Sequence, residues 1–113
     1  MIFVIDDDEI MAECIAMACG AGTQIFQNAY AAMNAIVDGT IPDLIFLDIL
    51  LDGPDGFTFL NELITYDDTA KIPVVIVTSL ELNNDLSVYG VVEILNKTTM
   101  TPNDIKRICE KYV

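Results

Sequence analysis

An apolar run that ends in three consecutive acids opens the chain, and it reads Ile2-Phe3-Val4-Ile5-Asp6-Asp7-Asp8. Similar runs occupy residues 44–47, 74–77 and 91–95, and a weaker one occupies residues 24–26. Each run is short, rich in β-branched residues and apolar without alternation, which is typical of strands that are covered on both faces. We therefore predict five buried strands.

Segments of helical length follow these runs, and they cover residues 9–19, 29–38, 56–66, 81–89 and 102–112. The last has strong start signals, because Thr101 suits the N-cap and Pro102 suits the first helical position. Strand and helix thus alternate five times. This pattern predicts an α/β fold of the (βα)₅ class, a doubly wound parallel sheet with helices on both faces. We expect one domain over residues 1–113.

The charge of the chain is divided unevenly. The 18 acids and 5 basic residues give a net charge of −13, yet residues 1–70 hold 13 of the acids and no Lys or Arg. Such a surface disfavours direct binding to nucleic acid, which needs clustered basic residues. The chain also lacks both a signal-peptide pattern and an apolar stretch of the roughly 18 residues that a membrane span needs. We expect a cytoplasmic protein that binds neither nucleic acid nor membrane.

Three cysteines occur, at Cys14, Cys19 and Cys109. They form no CxxC pair and the chain has no histidine to complete a metal site. We expect buried, reduced thiols.

Polar residues follow the predicted strands. Asp6 and Asp7 follow the first strand and Asp48 follows the third. The carboxyl ends of parallel strands meet at one edge of the sheet, where such folds bind ligands. Carboxylates crowded there would repel one another unless a cation intervenes, and Mg²⁺ suits an oxygen-lined site that accepts phosphate. The alternative for the acidic run is a helix N-terminus, where Asp complements the helix dipole.

Two further strand-end residues bear on the chemistry. Thr78 follows the fourth strand and Lys97 the fifth. An ammonium would pair with Asp48 or with an anion carried on it, and a hydroxyl can donate to a phosphoryl oxygen. The plainer alternatives are a surface lysine and a helix-capping threonine. Taken together with the acids, they suggest a site at which a carboxylate forms an acyl phosphate.

These motifs, in this order and spacing, resemble a response-regulator receiver domain of bacterial two-component signalling, similar to the chemotaxis regulators, over essentially all 113 residues. The resemblance rests on Val4-Ile5-Asp6-Asp7-Asp8, Leu44-Ile45-Phe46-Leu47-Asp48, Asp55-Gly56, Pro73-Val74-Val75-Ile76-Val77-Thr78-Ser79 and Lys97. It implies a strand order of 2-1-3-4-5, and it implies that Asp55-Gly56 shapes a loop and starts the third helix.

The resemblance also implies a role for each site residue. Asp48 would be the phospho-acceptor, with Thr78 holding the phosphoryl group and Lys97 bridging to it. Mg²⁺ would be held by Asp7 directly, by Asp6 through water, by Asp48 and by the backbone carbonyl of Leu50. The chain would then be a regulatory phospho-acceptor with self-catalysed phosphorylation and dephosphorylation only. Its partners would be a histidine kinase or phosphotransfer protein and a downstream protein, with a phosphorylation-dependent homodimer as a further form.

The chain departs from the family pattern at several positions. Asp52 replaces a usual proline, with Pro54 displaced by two. Ile94 stands where many members carry an aromatic switch residue, and Thr98 stands where a cis-bonded proline is common. The fourth helix is predicted to be small or irregular, because residues 83 and 84 are both asparagine.

One hypothesis concerns the lifetime of the acyl phosphate. Leu50 and Leu80 occupy positions that tune acyl-phosphate hydrolysis in the family, and neither side chain can orient water, so we predict slow autodephosphorylation. Two other functions stay open. One is a degenerate receiver that binds partners without phosphorylation, which Ile94, Asp52 and Thr98 favour. The other is a metal-dependent phosphohydrolase, which is disfavoured because Ile49 and Leu50 follow Asp48 in place of a second acid.

Overall fold

Five parallel strands form the centre of the computed structural model, which describes residues 1–20, 22–49, 56–79 and 86–113. The strands are β1 (Ile2–Ile5), β2 (Thr23–Phe26), β3 (Leu44–Asp48), β4 (Val74–Thr78) and β5 (Val91–Asn96). Their order in the sheet is β2-β1-β3-β4-β5. The α/β class and the strand order predicted from the sequence are therefore confirmed.

The described helices are α1 (Glu9–Cys19), α2 (Ala29–Val37), α3 (Gly56–Thr65), α4 (Asp67–Ala70) and α5 (Pro102–Tyr112), with a 3₁₀ turn at Ser87–Tyr89. The start signals of α5 act as predicted, since the Thr101 hydroxyl accepts from the Asp104 amide and the Asp104 carboxylate accepts from the Thr101 amide. Among the helices that the described residues form, none has the length and apolarity needed to cross a membrane.

The helical predictions need one addition and one correction. The helix predicted over residues 56–66 is confirmed as α3, which ends at Thr65, but the short α4 that follows it was not predicted. The buried Thr69 hydroxyl holds the break between these two helices by donating to the carbonyls of Leu63 and Tyr66. Of the helix predicted over residues 81–89, residues 87–89 form a 3₁₀ turn, and Asn83 and Asn84 lie outside the described residues.

Side chains alternate between two cores, one on each face of the sheet. Phe3 and Ile5 of β1 join Phe59 of α3 in the core beneath α2 and α3. Val4 of the same strand joins Phe46 and Ile108 in the core beneath α1 and α5. Helices therefore cover both faces, as the uninterrupted apolar runs predict.

Full burial applies only to the three central strands. Every residue of β1, β3 and β4 is buried. The prediction of strands covered on both faces was wrong for the edge strands, since Ile25 of β2 and Val92 and Ile94 of β5 are exposed. Both edge strands also carry polar residues within them, Gln24 in β2 and Glu93 in β5, and each has a neighbouring strand on one side only.

Candidate functional site

Three carboxylates meet at the carboxyl edge of the sheet. Asp48 ends β3, and Asp6 follows β1 directly; because Ile5 pairs with Leu47, the two acids lie side by side. Asp6 and Asp48 are only 1% and 4% exposed, whereas Asp7 is exposed. One oxygen from each of the three carboxylates lies within 4.8 Å of the others. The arrangement thus combines two buried charges with one that solvent reaches.

Lys97 brings a positive charge into this cluster. Its Nζ lies 3.1 Å from Asp6 Oδ2 and 3.2 Å from Asp48 Oδ2. The lysine is held there by its own backbone, because the Lys97 amide donates to the Thr78 carbonyl at 2.9 Å. Three carboxylates and one ammonium leave a formal charge of −2. One divalent cation would balance that charge.

Burial perturbs the titration of Asp6. Desolvation raises the pKa of this carboxyl and the charge of Asp48 raises it further, although the amide of Asp8 and the ammonium of Lys97 act in the opposite direction. Asp6 Oδ1 accepts from the Asp8 amide at 2.9 Å. Among the described residues no group donates a hydrogen bond to the buried Oδ2, which has only the ionic contact with Lys97. This oxygen is therefore poised to accept a further partner.

The charge of Lys97 is stabilised by the acids beside it. Desolvation alone would lower the pKa of the ammonium, but its close contacts with the carboxylates of Asp6 and Asp48 outweigh this effect and raise the pKa. Lys97 is therefore protonated at neutral pH. It partly neutralises two carboxylates at once.

The donor set fits a hard divalent cation. The carboxylate oxygens of Asp6, Asp7 and Asp48 are hard ligands of the kind that Mg²⁺ prefers, and the unsatisfied Asp6 Oδ2 and the residual negative charge both favour a cation. The exposure of Asp7 leaves the site open to water. Leu50, the predicted source of a carbonyl ligand, and Asp52 lie outside the described residues.

Asp8 takes no part in this cluster. Its side chain caps α1 by accepting from the amides of Ile10 and Met11 at 3.1 and 3.2 Å. Both interpretations of the acidic run thus apply, each to different residues. Asp6 and Asp7 belong to the strand-end cluster, and Asp8 starts the helix.

Thr78 ends β4 and is 1% exposed. The neighbouring Val77 pairs with Asp48, and Thr78 itself pairs with Asn96 of β5, so Thr78 lies between the strands that carry Asp48 and Lys97. The structure therefore brings Asp6, Asp7, Asp48, Thr78 and Lys97 to one edge of the sheet. The role of each residue stays a prediction.

Asn96 organises the turn that carries Lys97, a role that the sequence analysis missed. Its Oδ1 accepts from the amide and the hydroxyl of Thr98 at 2.8 and 2.6 Å, and its carbonyl accepts from the amides of Thr99 and Met100. Asparagine readily forms such side-chain turns, which was the available signal. The described peptide bonds are all trans. This turn therefore stands in place of the cis-proline that many family members carry at the position of Thr98.

Gly56 begins α3, as predicted, and packs against the residue after Asp48. Its amide donates to the Ile49 carbonyl at 3.2 Å. A Cβ at this position would lie 2.8 Å from Ile49 Cα and 3.1 Å from the Asp48 carbonyl oxygen. The absence of a side chain thus lets the helix start close to the acceptor strand. Asp55, Pro54 and Leu80 lie outside the described residues.

Comparison with known proteins agrees with this geometry. Residues 2–110 match the family model of the response regulator receiver domain. The chain is 33% identical over 81 residues to the DNA-binding dual master transcriptional regulator RpaA of Synechocystis sp., covering 70% of this chain and 34% of that protein. It is 31% identical over 86 residues to the response regulator PleD of Caulobacter vibrioides, covering 74% of this chain and 19% of that protein. It thus spans a minor part of both relatives.

Solved structures share the fold at lower sequence identity. The receiver domain of NtrX from Brucella abortus superposes with a TM-score of 0.79 and 24% identity, and the match covers 99% of this chain and 97% of that one. At this identity the likeness is evidence for the fold alone.

Proposed function

Because the chain belongs to the response regulator receiver domain family, we propose that it accepts a phosphoryl group on Asp48 with Mg²⁺ and thereby switches a protein-interaction surface. Receiver domains of two-component systems are regulatory phospho-acceptors rather than conventional enzymes. They interact in general with histidine kinases and with downstream effectors. The proposal assigns that general role to the residues of this chain.

The observation that carries the proposal is the position of Lys97 between two buried carboxylates. Its Nζ contacts Asp6 Oδ2 at 3.1 Å and Asp48 Oδ2 at 3.2 Å. A solvated surface lysine would not be held by two acids that are almost fully buried, because the burial of three charged groups is costly. Such an arrangement is expected where a reaction requires the charges.

The Asp48 carboxylate is the nucleophile. One of its oxygens attacks phosphorus in a phosphohistidine or a small acyl phosphate, a new P–O bond forms, and the bond to the donor atom breaks with its electron pair. The formal charge on the Asp48 side chain changes from −1 to −2. Lys97, already within 3.2 Å of Asp48 Oδ2, compensates that added charge. The hydroxyl of Thr78 donates to a phosphoryl oxygen.

Asp6, Asp7, Asp48 and the backbone carbonyl of Leu50 would hold the Mg²⁺ ion. When bound, it would supply positive charge beside these acids and the entering phosphoryl group. Asp6 would contribute through water and Asp7 directly, as the family resemblance implies. The fit of the donor set, described above, supports this assignment.

The partners follow from the same role. A histidine kinase or a histidine phosphotransfer protein supplies the phosphoryl group, and a downstream protein reads the altered surface. Formation of a homodimer by the phosphorylated protein is a further candidate output. We place the action of this protein in the cytoplasm without direct contact to membrane, and the acidic charge of residues 1–70 disfavours direct contact to nucleic acid. Residues 1–113 act as one receiver domain.

The test is phosphorylation by a small donor. The protein is incubated with acetyl phosphate with and without Mg²⁺, and intact and peptide masses are measured at intervals. We expect Mg²⁺-dependent gain of one phosphoryl group on the peptide that contains Asp48. The gain should vanish in Asp48→Asn and persist in the matched control Asp38→Asn, since Asp38 is an exposed acid at the end of α2.

Other outcomes would contradict the proposal. Gain that persists in Asp48→Asn would place the acceptor elsewhere. Sustained release of inorganic phosphate over many turnovers would favour a phosphohydrolase. No gain with acetyl phosphate or phosphoramidate, in a protein that still binds Mg²⁺ by calorimetry, would favour a receiver that acts without phosphorylation.

A further inference from the structure

Two cysteines meet at the end of the molecule opposite the acidic site. Cys19 is the last residue of α1, and Cys109 lies in the last turns of α5. Their Sγ atoms are 2.7 Å apart although the residues are 90 positions apart in sequence. A formed disulfide has an S–S distance of about 2.05 Å, so the two sulfurs are about 0.7 Å from bonding distance. The expectation of three buried thiols needs correction, because Cys14 is exposed and Cys19 is partly exposed.

We propose that Cys19 and Cys109 form a reversible disulfide that cross-links α1 to α5. Neither residue belongs to the phosphorylation chemistry proposed above, and no sequence motif indicates the pair because its members are 90 positions apart. The fold supplies the proximity by packing both helices on the same face of the sheet, over the core that contains Ile15 and Ile108.

Small molecules can reach the pair. A surface cavity of about 290 Å³ opens beside both sulfurs, and it is lined by Ile2, Cys19, Gly22, Cys109, Glu110 and Val113. Cys109 is 9% exposed and Cys19 more so. A hydroperoxide or a low-molecular-weight disulfide is small enough to enter such a cavity. The site therefore combines two adjacent thiols with access for an oxidant.

The oxidant is proposed to be a hydroperoxide, and the reaction balances in two steps. One thiol loses its proton as its sulfur attacks a peroxide oxygen, the O–O bond breaks, and the proton passes to the leaving oxygen, so that the products are a sulfenic acid and water or an alcohol. The second thiol attacks the sulfenic sulfur, the S–O bond breaks, and water leaves as the disulfide forms. The two sulfurs together lose two electrons and the peroxide gains them. A small dithiol reverses the reaction by thiol–disulfide exchange.

Burial keeps the pair reduced until an oxidant enters. Desolvation raises the pKa of Cys19, and the shared contact with Cys109 raises it further. Desolvation also raises the pKa of Cys109, although its hydrogen bonds oppose the change. Both sulfurs are therefore thiols at neutral pH. This favours slow, selective oxidation over general reactivity.

The expected result is a defined intramolecular cross-link. After hydrogen peroxide treatment, alkylation and non-reducing digestion, the peptides that contain Cys19 and Cys109 should be linked, and the intact mass should fall by two hydrogens. Dithiothreitol should restore the mass. Because the cross-link closes a long loop, the melting temperature should rise by on the order of 10 °C in the oxidised protein. Cys14→Ser is the matched control and should behave like the unmodified chain.

Several results would overturn the inference. Cys19→Ser and Cys109→Ala must each abolish the cross-link, and retention of the mass loss in either variant would refute the pairing. In the unmodified protein, oxidation to sulfinic acid without a cross-link, or linkage only through Cys14 between molecules, would refute it equally. These readouts do not depend on phosphorylation of Asp48, so this inference can fail while the proposed function stands, and the reverse.

Discussion

Neutralising Asp6 should stabilise the fold when no divalent cation is present. The Asp6 side chain is almost fully buried, its Oδ2 accepts no hydrogen bond from the described residues, and burial raises its pKa. Asp6→Asn keeps the shape of the side chain and the acceptor for the Asp8 amide. The substitution removes a charge that the folded state disfavours relative to the unfolded chain.

The magnitude follows from the distances. With an effective dielectric constant of about 20, the 3.1 Å contact with Lys97 attracts by about 5 kcal/mol. Repulsion from Asp48, within 4.8 Å, is about 3.5 kcal/mol, and the exposed Asp7 adds about 1 kcal/mol through water-like screening. The small net attraction is outweighed by the penalty of about 1–3 kcal/mol for an unsatisfied buried group. We expect Asp6→Asn to raise the free energy of unfolding by about 1 kcal/mol.

The assay is urea unfolding followed by far-ultraviolet circular dichroism, at neutral pH with a chelator. Asp7→Asn is the matched control, because the same change at the adjacent exposed acid should alter stability by no more than about 0.5 kcal/mol. The gain in the free energy of unfolding of Asp6→Asn over the unmodified chain should also depend on pH. The unmodified chain loses stability as the pH rises from the ordinary carboxyl pKa of 3.8 through the raised pKa of Asp6. The gain should therefore grow over that range of pH and stay constant above it.

The reasoning fails if Asp6→Asn destabilises the protein, if Asp7→Asn stabilises it equally, or if the difference between Asp6→Asn and the unmodified chain is as large at pH 3 as at pH 7. Saturating Mg²⁺ provides a second check. At a free Mg²⁺ concentration of ten times the dissociation constant, the free energy of unfolding of the unmodified chain should rise by about 1.4 kcal/mol. That of Asp6→Asn should rise by less.

Three further substitutions test how the fold supports the site. Gly56→Ala should lower the free energy of unfolding by about 1–3 kcal/mol and slow phosphorylation by acetyl phosphate, because the alanine Cβ would press on the backbone at Ile49. Unchanged stability and an unchanged rate would contradict this packing. Thr69→Val should cost about 1–3 kcal/mol in urea unfolding, since the buried carbonyl of Leu63 loses its donor, and a neutral effect would count against the α3–α4 break described above. Thr101→Ala should cost about 1 kcal/mol by removing the cap of α5, and a stability equal to that of the unmodified chain would exclude a contribution from this cap.

Much of the fold was predictable because local signals and tertiary needs agree. The apolar runs marked all five strands to within a residue or two, and the caps at Asp8 and Thr101 coincide with real helix starts. The short α4 was not predicted, and its position has a tertiary cause. The Thr69 hydroxyl of α4 donates to the Leu63 carbonyl in the last turn of α3, and no periodicity of apolar residues encodes such a buried contact.

The candidate site was predictable in its residues but not in its electrostatics. Strand-end positions indicated that Asp6, Asp48 and Lys97 converge, because parallel strands end at a common edge. Which acid has a buried oxygen that accepts no hydrogen bond, and which acid is exposed, depends on the helices and loops packed around each one. The role of Asn96 in shaping the Lys97 turn also emerged only from its contacts with Thr98.

By itself, the sequence determined the class of fold, the order of elements and the residues that gather at the sheet edge, since these follow from hydrophobic period and from what succeeds each strand. The sequence predicted that Lys97 would lie beside Asp48. Only the tertiary structure decided that Asp6 shares the lysine with Asp48, and that Asp8 is the acid of the run whose side chain caps α1. Only the tertiary structure likewise decided that the thiols of Cys19 and Cys109 lie in contact. The physical reason is that charge pairing and thiol contact depend on distances of a few ångströms between segments remote in sequence, and packing alone sets those distances.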